Sequence, residues 1–149
     1  MDSSSLREKA ENELSAAGLG PAKLARERRD EEHSRNAEVV FSIGTLRLRF
    51  VRDRGQEFLD LASSAEPERF FLFDDVELAM GWRTIDAVVT KQNPADLRNV
   101  LARIKERQDE LDHAFSTTHW THTAGRLESA AKLRGDAFLR RLQQLAKPS

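Results

Sequence analysis

Residues 45–61, TLRLRFVRDRGQEFLDL, decide the fold class of this chain. Across residues 45–52 apolar and basic side chains alternate almost strictly, and a period of two is typical of a half-buried β-strand. Residues 53–55 supply turn-forming residues, and the apolar pattern resumes at Phe58. The stretch therefore predicts a β-hairpin.

The register of this hairpin follows from its side chains. A two-residue turn at Arg54 and Gly55 places apolar residues opposite apolar ones and each basic residue opposite an acid. The expected pairs are Leu48 with Leu61, Phe50 with Leu59, Val51 with Phe58, Arg49 with Asp60, and Arg52 with Glu57. A three-residue turn would instead place Arg49 beside Leu59, so the two-residue turn is predicted. Gly55 provides the positive φ that such a turn requires.

The first 37 residues predict a helical arm that buries little. A narrow apolar stripe consists of Leu6, Ala10, Leu14 and Ala17, and it ends where Gly18, Gly20 and Pro21 interrupt the pattern. The next stretch, residues 22–36, holds a single large apolar residue, Leu24, and a run of charges. Because helices gain most of their stability from burial, we expect residues 1–37 to form a partly exposed or flexible arm beside a single domain of residues 38–149.

Residues 63–92 predict a loop, a short strand over 69–73 and a short helix over 76–80. Asp74 and Asp75 stand where a helix N-cap is expected, and Gly81 stands where the helix should end. The β-branched residues of 84–90 favour one more strand.

Residues 93–147 predict a long antiparallel helical hairpin. Asn93 is the expected cap, with Pro94 in the first turn. Two apolar stripes at helical spacing follow: Leu97, Val100, Leu101, Ile104, Leu111 and Phe115, then Leu127, Ala131, Phe138, Leu142 and Leu145. The sequence thus predicts an α+β fold, with a small antiparallel sheet in the region 38–92. The expected core is Leu48, Phe50, Leu59, Leu61, Phe71 or Phe70, Leu101, Ile104, Phe138 and Leu142.

Composition narrows the function classes. The 149 residues are 33% charged with a net charge of −1, which argues against a nucleic-acid binder. No apolar run reaches membrane-spanning length, and the start of the chain lacks the pattern of a signal peptide. The chain contains no cysteine, which agrees with a reducing compartment. We expect a cytoplasmic protein without a membrane partner.

Catalytic and metal chemistry find no support in the motifs. His113, His119 and His122 lie close in sequence, but a straight helix would turn His113 away from His119, and zinc needs three or four convergent ligands. A G-x-S-x-G motif and a phosphate-binding P-loop are both absent from the sequence. The sequence therefore predicts a protein that is not an enzyme, with no catalytic residues, no metal site, no cofactor and no small-molecule substrate.

Two charged clusters are candidate contacts for a protein partner. The first is the acidic turn of Asp74, Asp75 and Glu77 with the neighbouring Trp82, which suits a basic partner. The second is the basic strand face of Arg47 and Arg49. Each has a structural alternative, since the acids can cap a helix and the arginines can pair across strands.

One segment carries a family resemblance. The run IGTLRLRFVRDRGQEFLDLASS (residues 43–64), followed by PERFFLFDDV (residues 67–76), resembles small bacterial proteins, some of which look like immunity proteins of polymorphic toxin systems. The resemblance covers residues 39–82 and implies a non-enzymatic protein that binds and blocks a cognate toxin.

Two functions are expected from these observations. The first is a protein-binding protein, an immunity-type inhibitor of a bacterial toxin. The alternative is a structural or assembly protein that self-associates through its helices. The two differ in a visible feature, because an assembly protein should leave an apolar stripe exposed on a helix.

Overall fold

The computed structural model describes residues 5–29, 36–90 and 96–146. The order of elements is α1 (Leu6–Ala16), β1 (Lys23–Arg29), β2 (Ala37–Ile43), β3 (Leu46–Asp53), β4 (Gln56–Ser63), β5 (Phe71–Leu72), α2 (Phe73–Ala79), α3 (Ile85–Val89), α4 (Leu97–Glu106), α5 (Gln108–Ala114) and α6 (Trp120–Ala146). The five strands form one antiparallel sheet in the order of the chain. The predicted α+β class is confirmed.

The β3–β4 hairpin has the register that its side chains predict. Every expected pair is found, from Leu48 opposite Leu61 to Arg52 opposite Glu57. Arg54 and Gly55 occupy the turn with φ angles of 53° and 81°, both in the left-handed region that a primed two-residue turn needs.

The core lies between one face of the sheet and the helices. Six of the expected core residues are buried there: Leu48, Phe50, Leu59, Leu61, Leu101 and Ile104. Phe71 packs against the core while partly exposed. Phe41 and Phe50 meet edge to face at 6.0 Å on the inner face of the sheet. Hence the helices pack on the face of the sheet formed by β2, β3 and β4.

The prediction of an arm that buries little is wrong for the first helix. α1 buries Leu6, Ala10 and Leu14, and all three belong to the same core cluster as the sheet. The helix lies against β2, β3 and α4, and these three elements cover its apolar stripe. A narrow stripe is therefore enough to bury one face of α1. The break at Gly18 is confirmed, since the helix ends at Ala16 and Gly18 has a φ of 74°.

The second half of the predicted arm is a strand where it is described. Lys23–Arg29 forms β1 at the edge of the sheet, paired with β2. Backbone pairing with β2 and the bond from Arg26 Nε to Glu38 Oε1, 2.7 Å long, outweigh the helical tendency of this charged stretch. Residues 30–35 lie outside the described residues. A row of charged side chains suits an edge strand, because it discourages pairing with other chains.

Residues 84–90 are helical, so the strand predicted there is wrong. Thr84 caps α3 by accepting a hydrogen bond from the amide of Ala87 at 3.2 Å, and Asp86 stands in the first turn. This local capping and the packing of α3 on α6 favour the helix more than the β-branched residues favour a strand. Upstream, β5 is shorter than predicted, with two residues.

The predicted antiparallel helical hairpin is wrong in its packing, since the main helical partners of α6 are α2 and α3. The helix expected to pair with α6 is divided at Arg107 into α4 and α5, and Asp96 caps α4 through its side chain. The predicted cap Asn93 and Pro94 lie outside the described residues. Among the helices of residues 5–29, 36–90 and 96–146, none is long and apolar enough to cross a membrane.

Candidate interaction surface

The first half of α6 is fixed to the body of the protein. Trp120, Ala124 and Leu127 belong to the core cluster. The Trp120 indole N–H donates to Glu66 Oε1 at 2.8 Å, and its ring lies 5.2 Å from that of Phe115. Thr123 Oγ1 donates to the carbonyl of Ala114 at 2.6 Å. These contacts fix both the position and the direction of α6.

An ion pair marks the place where α6 leaves the body. The guanidinium of Arg134 binds Asp75 of α2 with two hydrogen bonds, Nε to Oδ1 at 2.5 Å and an Nη to Oδ2 at 3.2 Å. The hydrogen bond to Asp75 raises the pKa of Arg134, against the opposing influence of burial. Asp75 is only 3% exposed, whereas the Arg134 side chain is 31% exposed, so the carboxylate is the buried partner of this pair.

Beyond this point α6 projects from the body. Every residue from Phe138 to Ala146 is exposed. Four of them are large and apolar, and we call them the C-terminal stripe: Phe138, Leu139, Leu142 and Leu145, which are 50%, 58%, 47% and 73% exposed. Leu127, by contrast, is fully buried.

The C-terminal stripe continues the buried face of the same helix. Phe138 and Leu145 follow Leu127 by three and five turns, so all three point to one side of α6. An apolar arc of this width is the kind that covers a core. The surface of α6 therefore stays amphipathic for its whole length, while the body covers only its first half.

The prediction that Phe138 and Leu142 lie in the core is wrong. α6 has 27 residues and is about 40 Å long, whereas its main partners α2 and α3 have 7 and 5 residues and are about 10 and 8 Å long. The other elements end before the last turns of α6 begin, and nothing among the described residues covers them. Helical spacing identifies the apolar face of a helix but not the element that covers it.

The charges of the projecting segment lie away from the C-terminal stripe. Asp136 and Arg140 stand on the far side of the helix, and Arg141 flanks the stripe. Gln143 and Gln144 complete the polar side. The exposed end of α6 is thus an amphipathic and mildly basic helix.

The acidic turn predicted as a partner site is not an open surface. Asp75 and Glu77 are each 3% exposed, so little of either side chain is open to a partner, and contact through them stays a prediction. Glu77 Oε1 lies 3.4 Å from an Nη atom of Arg83 and 3.3 Å from one of Arg103. Asp74 lies in the first turn of α2, 4.0 Å from Arg83. The N-cap residue of α2 is Leu72, which makes no side-chain cap bond.

The other predicted contact residues have partners within the protein. Trp82 Nε1 donates to Glu110 Oε2 at 3.2 Å, and Arg107 stacks on the Trp82 ring at 5.1 Å. Arg49 donates to Asp60 Oδ2 from Nε at 3.0 Å and from an Nη at 2.5 Å, beneath the ring of Phe70. Arg47 is half-buried on the same face and lies 3.9 Å from Glu68. The pairing of Arg49 across strands is the structural alternative that its sequence position suggests.

The histidines lie closer together than a straight helix permits. α5 ends at Ala114, and the following turn brings the ring of His119 to 4.0 Å from that of His113. The expectation that these two side chains diverge is wrong for that reason. Within the part of the chain that the structure describes, no three His, Cys, Asp or Glu side chains are grouped to hold a metal ion.

Two residues of this surface escape the sequence patterns. Arg134 stands within the apolar face of α6, and a charge at such a position signals a buried acid opposite it. Leu139 lies at the margin of the helical stripe, where periodicity alone does not select it. No family model, no curated protein and no solved structure matches this chain.

Proposed function

We propose that this protein is a non-enzymatic assembly protein whose copies associate through the C-terminal stripe of α6. The observation that supports this most strongly is the exposure of Phe138, Leu139, Leu142 and Leu145 on a face that is buried earlier in the same helix. Of the two functions expected from the sequence, only self-association through helices calls for such an exposed stripe. Contiguous apolar surface on a projecting helix is typical of an interaction site.

The size of the C-terminal stripe supports a weak and reversible association. Each of its side chains offers about 100 Å² of exposed surface, so two copies would bury on the order of 800 Å² of apolar area. Polar flanks raise the total toward the lower limit of specific interfaces, about 1,000 Å². A dissociation constant on the order of micromolar is expected, because association must also offset the lost freedom of two bodies.

Sedimentation equilibrium over a range of concentrations tests the proposal. The unmodified protein should pass from monomer to dimer as its concentration rises. Leu142→Glu should remain monomeric, because it places a charge at the centre of the stripe. Ser129→Glu is the matched control, since it adds the same charge at an exposed position on the other side of α6 and should leave the dimer intact. A monomer at every concentration for the unmodified protein would contradict the proposal.

An immunity-type inhibitor is the function that the resemblance over residues 39–82 supports. The acidic residues proposed to contact its target are engaged with Arg134, Arg83 and Arg103. Reversing Asp75 or Glu77 would place a lysine in a buried site and disturb the fold, so that exchange cannot test an interface. The cysteine-free composition supports a cytoplasmic location, which we include in the proposal.

A further inference from the structure

We propose that two copies pair through antiparallel α6 helices, with the two-fold axis passing beside Leu142. This inference rests on the proposed self-association and specifies its geometry. The partner of the C-terminal stripe is then the same stripe of a second copy, as the symmetry of a two-fold dimer requires.

The sequence of the projecting segment is self-complementary about Leu142. Antiparallel pairing centred there places Leu139 opposite Leu145 of the second copy and Phe138 opposite Ala146. Leu142 meets its own equivalent. Large residues therefore meet large or small apolar ones, and each contact except that of Leu142 with its equivalent occurs twice. Every residue used in these contacts is exposed in the single chain.

The polar residues are compatible with the same register. Asp136 and Arg140 stay on the outer side of the pair, because they stand on the far side of α6 from the stripe. A shift of one position would move Leu142 away from its own equivalent, and it would bring Leu139 level with Gln144 in one direction and Leu145 level with Arg140 in the other. Either shift loses apolar contact between leucines, so the register centred on Leu142 is preferred.

A parallel pair is disfavoured by shape, because its two stripes would face each other over the same stretch of both helices. The body of each copy also lies on the stripe side of α6, because Arg134 points along the face of Leu127 and binds Asp75 of α2. Parallel stripes would bring the two bodies to the same place, whereas antiparallel stripes place them at opposite ends.

Cysteine cross-linking distinguishes these arrangements, because the chain has no cysteine of its own. Three variants of the full chain are needed: Leu139→Cys, Leu142→Cys and Leu145→Cys, with one copy tagged so that mixed pairs have their own mass. A disulfide forms only where Cα atoms come within about 7 Å. Under mild oxidation, Leu142→Cys should cross-link with itself. A mixture of Leu139→Cys and Leu145→Cys should give the mixed pair on the order of tenfold faster than either self-pair.

The outcomes separate the geometry from the association itself. Self-pairs of both Leu139→Cys and Leu145→Cys would indicate parallel helices and overturn the inference, while self-association would stand. A dimer of the unmodified protein with any other cross-linking pattern would overturn the register. A monomeric unmodified protein, with no cross-link above the level given by a Ser129→Cys control, would overturn both proposals together. Circular dichroism of each variant verifies that the exposed substitutions leave the fold unchanged.

Discussion

The two halves of α6 have one surface pattern and two environments. Residues 120–134 bury Trp120 and Leu127 against the body and end at the ion pair of Arg134 with Asp75. Residues 135–146 repeat the apolar face and leave it exposed. Both halves meet the same local requirements for an amphipathic helix. The contrast shows that periodicity specifies a face, while the length of the neighbouring elements determines whether the chain itself covers it.

The largest expected difference between the halves is the cost of removing a leucine. Leu127→Ala should lower the free energy of unfolding by about 3 kcal/mol, because Leu127 is fully buried and a cavity would remain. Leu142→Ala should lower the unfolding free energy of the monomer by less than about 0.5 kcal/mol, since Leu142 is 47% exposed. Urea unfolding at a concentration well below that of dimer formation measures both. Equal losses would mean that both halves are covered by the body.

The boundary between the halves should be sensitive to the ion pair. Arg134→Ala should destabilise the protein by about 2 kcal/mol, because it leaves the buried Asp75 carboxylate without its partner. Arg140→Ala, an exposed arginine two turns further on, is the control and should have little effect. Thermal unfolding of both variants, and of Arg134→Ala combined with Asp75→Ala, measures the pair. If the double variant loses as much free energy of unfolding as the two single variants together, the two side chains do not interact.

The projecting half should respond to helix propensity alone. Gly135 lies at its start, and a Cβ added there would meet nothing within 4 Å. Gly135→Ala should therefore stabilise the following helical residues by about 0.5–1 kcal/mol. Slower amide hydrogen exchange in residues 136–146, with unchanged exchange in residues 120–130, is the expected result. Faster exchange would mean that Gly135 is required where it stands.

Lowering the pH should reduce the folding stability of the body more than it weakens the association between copies. Hydrogen bonds from Lys9 and Arg52 lower the pKa of Glu57, although burial, the largest single influence, acts in the opposite direction. Because its pKa is lowered in the folded state, the ionised Glu57 stabilises the protein at pH values above about 4.3, the ordinary pKa of glutamate. This stabilisation is lost as the pH falls through the lowered pKa.

The matched variant for this effect is Glu57→Gln. It should reduce the acid sensitivity of unfolding by about 0.5 kcal/mol, because the ion pairs of Glu57 with Lys9 and Arg52 are then both gone. The association constant should vary little over the same pH range, since the C-terminal stripe has no titratable side chain. Urea unfolding at several pH values compares the two proteins, and parallel curves would show that Glu57 contributes nothing to the acid response.

The hairpin could be predicted from sequence because its partners are local. Its two strands are joined by Arg54 and Gly55, and each cross-strand pair is specified by neighbouring residues. β1 and α3 could not be predicted from their own residues, because packing against other elements determines them: β2 pairs with the charged strand, and the distant α6 packs on the short helix. Tertiary contact outweighs local propensity in both places.

The candidate surface was predictable only in part. Phe138, Leu142 and Leu145 can be recognised from their spacing as one apolar face. Their exposure depends on where the other helices end, which the spacing does not encode. The burial of the acidic turn could not be predicted either, since Arg134 and Arg103 reach Asp75 and Glu77 from far along the chain.

Hydrogen exchange of α6 at two protein concentrations tests the central claim most directly. The claim is that the body covers the first half of α6 and a second copy covers the end. The amides of residues 120–134 should be protected equally at low and at high concentration. Those of residues 138–146 should be protected only at the concentration where the dimer forms. Protection of residues 138–146 that does not change with concentration would contradict the account.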